Sequence, residues 1–199
     1  MGDYGEFDKN IDWQNSRLQN LIRKIAKKHP VGIHPSYQSN TDYAILKSEI
    51  KRLQHIVSTP NPQPPSQFSR QHYLKLSFPE TYQRLIKAGI TDDFSMGYAD
   101  NIGFRAGIAT PFYWYDLENE QVTHLRIHPF VIMEVTLQQY LKLTPDEAFE
   151  RVKPLINATK AVGGTFTTLW HNSTLSDVGE WKGWRGLYEK ILILVSSEK

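Results

Sequence analysis

Cysteine is absent from this chain, and that single absence removes several chemistries at once. Without thiols there are no disulfides, no thiolate metal centres and no cysteine nucleophile, while the redox compartment stays undetermined. Long apolar runs are lacking too: none approaches the roughly 18 residues of a membrane-spanning helix. The opening residues, MGDYGEFDKN, are polar and acidic and do not read as a signal peptide, so the localisation is left open. Nor is there an excess of one charge. With 23 basic and 21 acidic residues, the net charge of +2 gives no reason to propose a nucleic-acid or membrane partner. Arg23, Lys24, Lys27 and Lys28 cluster on a helix-like stretch, most simply as a solvated face.

What is present suits a soluble globular protein: 40% apolar and 22% charged residues, in a length that fits one ordinary domain and is short for two. Aromatics are dense, with 5 Trp, 10 Tyr and 9 Phe. Several fall in polar, loop-like stretches, among them Tyr113-Trp114-Tyr115 and Trp181 with Trp184. Such rings fill cores, and they also stack on the apolar faces of sugars. No internal repeat stands out. Residues 59–66, with four prolines, read as an extended connector inside the domain.

Helix and strand signals alternate along the rest. Residues 11–28 carry Leu18, Leu21, Ile22 and Ile25 at helical spacing. Residues 31–34 form a short strand. A second helix covers 41–57, capped by Asn40 or Thr41, with Ile45, Ile50, Leu53 and Ile56 roughly on one face. Residues 72–76 alternate like a strand, and Pro79 opens a helix to Lys87 that Gly89 closes. Further strands are expected at 94–98, 104–108 and within the apolar run 127–135. Thr144, Pro145 and Glu147 form a capping box ahead of a helix over 145–162. A strand over 165–170 and a helix over 184–195 follow. This alternation predicts a parallel sheet with helices outside, in an open sheet or a barrel.

The strand ends then carry the chemistry. In VGIHPSY (31–37), an apolar strand delivers His34 and stops at Pro35, which cannot join a sheet ladder. A buried structural histidine is the alternative there. Arg70 with His72, Asp100 and His171 fall at similar places, and in such folds the carboxyl ends of strands meet on one face.

In this order, Gly32-Ile33-His34-Pro35-Ser36-Tyr37, Ser69-Arg70-Gln71-His72-Tyr73, Asp92 to Asp100, and Leu169-Trp170-His171-Asn172 resemble the motifs of the polysaccharide deacetylase (carbohydrate esterase) family, in a divergent bacterial branch. The resemblance implies a fold, α/β, as an incomplete and distorted (β/α) barrel. It also implies removal of acetyl groups from N- or O-acetylated sugars with one divalent metal, often zinc. His34 would be a metal ligand. The family's second histidine is replaced by Gln38, and His72 is the candidate substitute. Arg70 would hold the catalytic carboxylate, with a surface arginine as the alternative. Asp100 would orient a histidine or cap a turn before Gly103. His171 would be the general acid. Tyr37, Tyr98, Trp114 and Trp170 are the candidates to line the sugar site.

The front of the pattern departs from the family. Its first motif, with one aspartate as base and one as metal ligand, has no counterpart, and Gly2-Asp3-Tyr4-Gly5 resembles the end of the first strand. Asp3, Glu6 and Asp8 match the loop that follows and are not assigned the base. Residues 1–199 are thus expected to be a single domain, the C-terminal portion of a deacetylase-like barrel with its first strand missing, and impaired as a catalyst. The alternative is a catalytically inactive carbohydrate-binding homologue. A half-barrel that needs a partner segment to cover its sheet edge is a third possibility.

Overall fold

The computed structural model describes residues 1–58 and 67–197, so the proline-rich connector expected at 59–66 lies outside the described residues. The chain divides into two compact units: Met1–Ser95 with Phe112–Ile127, and Met96–Pro111 with His128–Lys199.

The first unit begins with α1 (Ser16–Ala26) and α2 (Tyr43–Val57). Helix α1 is shorter than the apolar spacing predicts. Asp12 and Asn15 capture the backbone N–H groups of Gln14, Arg17 and Leu18 with their side chains, and the helix starts only after them. The cap of α2 is Asp42, whose Oδ1 accepts from the N–H groups of Ala44 and Ile45 at 2.8 and 3.2 Å. Asn40, one of the expected caps, is instead buried, with Nδ2 donating to the Lys75 carbonyl at 2.8 Å. Strand β1 (Phe68–Ser69), helix α3 (Glu80–Lys87), strand β2 (Asp92–Asp93) and the strands β3 (Phe112–Asp116) and β4 (Gln121–Ile127) complete the unit.

The sheet order is β1-β2-β4-β3, with β1 parallel to β2, β2 parallel to β4, and β3 antiparallel to β4. Ile33 adds one parallel bridge to Ser69 in place of the expected strand 31–34: its N–H donates to the Phe68 carbonyl at 2.8 Å, and its carbonyl accepts from Arg70 N–H at 3.0 Å. Gly32 is required by this approach, since a Cβ there would lie 2.8 Å from the Phe68 carbonyl oxygen. Ile33, Leu46, Leu53, Ile56, Tyr82, Leu85, Ile90, Leu125 and Ile127 form the buried interior. Two expected strands are absent. Residues 72–74 make a 3-10 turn, with Tyr73 and Leu74 at φ 56 and 52, and residues 94–98 follow β2 as irregular chain. The β3–β4 hairpin is the reverse case: Tyr113-Trp114-Tyr115 reads as loop and is the middle of a strand.

The second unit pairs β5 (Ile132–Met133) in parallel with β6 (Thr168–Leu169) and packs α4 (Pro145–Ala161) and α5 (Trp184–Ser196) beside them. The capping box is as expected, with Thr144 N–H donating to Glu147 Oε2 at 2.8 Å and Glu147 N–H to Thr144 Oγ1 at 3.4 Å. Val131, Ile132, Leu137, Ala148, Val152, Ile156, Trp184, Leu187 and Ile191 make one core cluster. Residues 104–108 are turns rather than a strand. The fold is therefore α/β with a mixed sheet and a parallel pair, and no closed barrel forms among the described residues.

Candidate functional site

Each unit gathers its own polar cluster at strand ends. In the first, the chain turns sharply after Ile33 and brings His34 against the backbone beyond β1. His34 Nδ1 lies 2.6 Å from the Arg70 carbonyl. A carbonyl only accepts, so Nδ1 carries the hydrogen and Nε2 holds the lone pair of the neutral ring. The imidazole of His72 lies 4.9 Å from that of His34, centroid to centroid, with the planes at 68°. His72 Nδ1 donates in turn to Asp8 Oδ1 at 2.8 Å. Asp8 is buried, and its carboxylate also accepts from Tyr37 N–H at 3.1 and 3.2 Å, which ties the His34 loop to the turn bearing His72.

Arg70 supports His34 through its backbone, while its Nε–H donates to the Phe94 carbonyl at 3.2 Å. Close by, Asp93 is fully buried and accepts from Ser69 Oγ–H at 2.6 Å, Ser95 Oγ–H at 2.9 Å and Ser95 N–H at 2.9 Å. Burial pushes its carboxyl above the usual carboxylate range, and the serine bonds and the Arg70 charge only partly offset this. Tyr37 stacks on Phe7 at 4.5 Å and carries Lys75 Nζ 4.0 Å above its ring. Tyr73, which sequence reasoning passed over, is 61% exposed and holds a left-handed backbone conformation beside His72. Strained residues of this kind concentrate where function constrains the chain. Trp114, by contrast, turns inward onto Tyr82 at 5.4 Å, while Tyr113 and Tyr115 take the solvent side.

A catalytic zinc takes three protein ligands and a water. His34 and His72 supply imidazoles, but among the described residues no three histidine, aspartate or glutamate side chains form a group that could hold an ion. The donors among the described residues do not by themselves fit such a metal.

In the second unit, the parallel pairing of Met133 with Leu169 sets the residues after β5 beside those after β6. This brings Glu134 to His171. Glu134 is wholly buried, and its Oε1 accepts from His171 Nδ1 at 2.6 Å, His171 N–H at 2.8 Å and Thr174 Oγ1–H at 3.0 Å. Oε2 has no hydrogen-bond partner among the described residues. The imidazole is 48% exposed, so a buried carboxylate backs a half-open ring. The carboxylate that orients His171 is thus Glu134 and not Asp100, which sits exposed on a bend. Its signal lay in the sequence as a lone acid inside the apolar run 127–135, since a buried charge survives only when paired. Trp170 packs against Tyr188 at 5.1 Å with its indole N–H buried, and Tyr98 is exposed.

No family model matches the chain, and no curated protein matches it. In fold it is similar to the crystal structure of a proposed polysaccharide deacetylase from Mycobacterium smegmatis, with a TM-score of 0.57 and 16% identity. The match covers 90% of this chain and 62% of that one. The chain therefore spans less than two thirds of the length of that structure, and at this identity the likeness is one of fold.

Proposed function

We propose that the chain is part of a hydrolase that removes acetyl groups from an acetylated carbohydrate, of a divergent bacterial deacetylase type. The observation that carries this reading is the His171–Glu134 pair, a half-exposed imidazole held from behind by a buried carboxylate at 2.6 Å. Such a pair fixes the ring and stabilises its charged form, which suits a general acid. In the reaction, water adds to the acetyl carbonyl carbon, the C–N or C–O bond to the sugar breaks, and acetate leaves. His171 gives its Nε2 proton to the departing nitrogen or oxygen.

Within the first unit taken by itself, His34 and His72 are the imidazoles this reading would offer a divalent metal, zinc by the softness of such donors. Arg70 and Asp8 steady the two rings. Tyr37 and Tyr73 in the first unit, and Tyr98 in the second, are aromatics of the kind that stack on sugar rings. The family's base has no counterpart assigned among residues 1–199, and loss of a base costs about 10² to 10⁴ in rate, so turnover is expected to be poor. That no three such donors group together among the described residues favours a second reading, an inactive carbohydrate-binding homologue.

Acetate release from acetylated chitooligosaccharides and acetylated xylan separates the two. The deacetylase reading expects slow release that falls to background in His171→Ala. Binding of these sugars without any release would overturn it in favour of the second.

A further inference from the structure

The near-neutral charge of the whole chain conceals a local excess. Between Asp12 and Asp42 there is no acidic residue, while Arg17, Arg23, Lys24, Lys27 and Lys28 all fall in that interval. Over residues 13–58, eight Lys and Arg stand against Asp42 and Glu49. Asp42 caps α2, and Glu49 is buried on Ser36 N–H, so neither balances the surface of α1. Among the described residues, Arg17, Lys24, Lys27 and Lys28 take part in no ion pair.

The second observation is apolar. Helix α1 has no buried residue. Its inner side, with Leu18, Ile22 and Ala26, is half-buried, and Arg23 on that side donates from Nε to the Ile56 carbonyl of α2 at 3.0 Å. The opposite side keeps Leu21 54% and Ile25 42% exposed. At i, i+4 and i+8 spacing, Arg17, Leu21 and Ile25 share that outer face with Lys24 beside them, and the exposed Lys27 and Lys28 follow in the turn that ends the helix. Aliphatic side chains flanked by unpaired cations cost free energy in water and gain nothing from a hydrophilic polyanion.

We propose that the outer face of α1 docks the protein on an anionic lipid surface, with the helix lying in the plane of the headgroups. Leu21 and Ile25 would enter the acyl boundary, and Arg17, Lys24, Lys27 and Lys28 would meet the phosphates. The helix is about 16 Å long, enough to lie on a bilayer and far too short to cross one. No helix among the described residues is long and apolar enough to span a membrane, so this contact is peripheral. The inference is independent of the deacetylase reading and stands or falls without it.

The test is co-sedimentation of the full chain with vesicles of phosphatidylcholine alone and of phosphatidylcholine with phosphatidylglycerol. Binding is expected to the anionic vesicles only, and to weaken as salt rises from about 0.1 M to about 1 M. Lys24→Glu with Lys28→Glu lowers the partition coefficient by about tenfold or more. Leu21→Ser with Ile25→Ser lowers it by about tenfold. All four side chains are exposed, so the variants keep the circular dichroism of the parent. Leu21→Trp gives a separate reading, a blue-shifted emission on anionic vesicles. Equal binding to neutral vesicles, or none to anionic ones, overturns the proposal. So does binding that the Leu21 and Ile25 changes leave intact and that dextran sulfate fully competes away, since that marks a soluble polyanion as the partner.

Discussion

Gly97→Ala is the sharpest test of the packing in the second unit. A Cβ at Gly97 would lie 2.3 Å from Cε1 and Cζ of Phe130 and 2.5 Å from Cε2. Carbon atoms rest at about 3.5 to 4.0 Å, so the ring or the backbone must yield by more than about 1 Å. Neither yields cheaply. Phe130 is 1% exposed, and its N–H donates to the Met96 carbonyl at 3.0 Å, which pins the ring to the residue beside the glycine. Overpacking of this kind costs about 1 to 3 kcal/mol, and a ring struck at three atoms belongs at the upper end, about 3 kcal/mol. Phe130→Leu alone costs about 1 to 2 kcal/mol for the lost volume. It also removes the atoms that clash, so the double variant should fall short of the summed losses by about 1 to 2 kcal/mol. Urea denaturation of the four proteins measures this as midpoints at constant slope. A Gly97→Ala loss under about 0.5 kcal/mol, or strict additivity, would refute the close approach. Tyr98 and Asp100 ride on the same segment, so the variant should also show whether their loop tolerates a shift.

Three further outcomes are expected. Glu134→Gln places an amide nitrogen where Oε2 is now buried without a partner, so it should cost about 1 to 3 kcal/mol in a thermal melt and lower acetate release about 10²-fold or more; an unchanged rate removes Glu134 from the site. Asp8→Ala removes the carboxylate that accepts from His72 Nδ1 at 2.8 Å and, on the proposed reading, should weaken zinc binding about tenfold in a competition titration, whereas an unchanged affinity would separate His72 from the metal. Asp93 has a folded-state pKa raised by burial, so its contribution is present below the unfolded value near 3.8 and is lost as pH rises through the folded value. Wild type should therefore lose stability relative to Asp93→Asn from about pH 4 upward, and parallel pH–stability curves would count against the raised value.

Local signals in the sequence carry the helices well. The box of Thr144, Pro145 and Glu147 marks the start of α4 to the residue, because capping is decided within three positions. The strands are poorly legible, since β1, β2, β5 and β6 are two residues each and offer no period to read. The β3–β4 hairpin escapes because alternating tyrosines with half-buried partners look like an aromatic loop until their partners across the ladder are known. At the site, His34, Arg70 and His171 are legible as strand-end residues. Asp8 is not: it meets His72 across 64 positions, and nothing near either residue announces the pairing. The exchange of Asp100 for Glu134 has the same origin, because the parallel register of β5 with β6 decides which acid reaches His171.

The interleaving of the two units has a consequence for synthesis. Each unit is assembled from two stretches of chain, and the stretches alternate along it. A nascent chain has all the material of the first unit only once residue 127 has emerged. By then the excursion Met96–Pro111 is already out, and its partners are not. The Met96 carbonyl waits for Phe130, Gly103 N–H for the carbonyl of Val131, and the Ala109 carbonyl for Thr165. At ordinary elongation rates of about 5 to 20 residues per second, that interval lasts seconds, long enough for chaperones or proteases to find an unpaired segment. It also means that no single cut divides the gene into two self-sufficient halves. A break anywhere from residue 96 to 127 strands part of one unit on the wrong fragment, so recombination or domain borrowing would have to move the pair together.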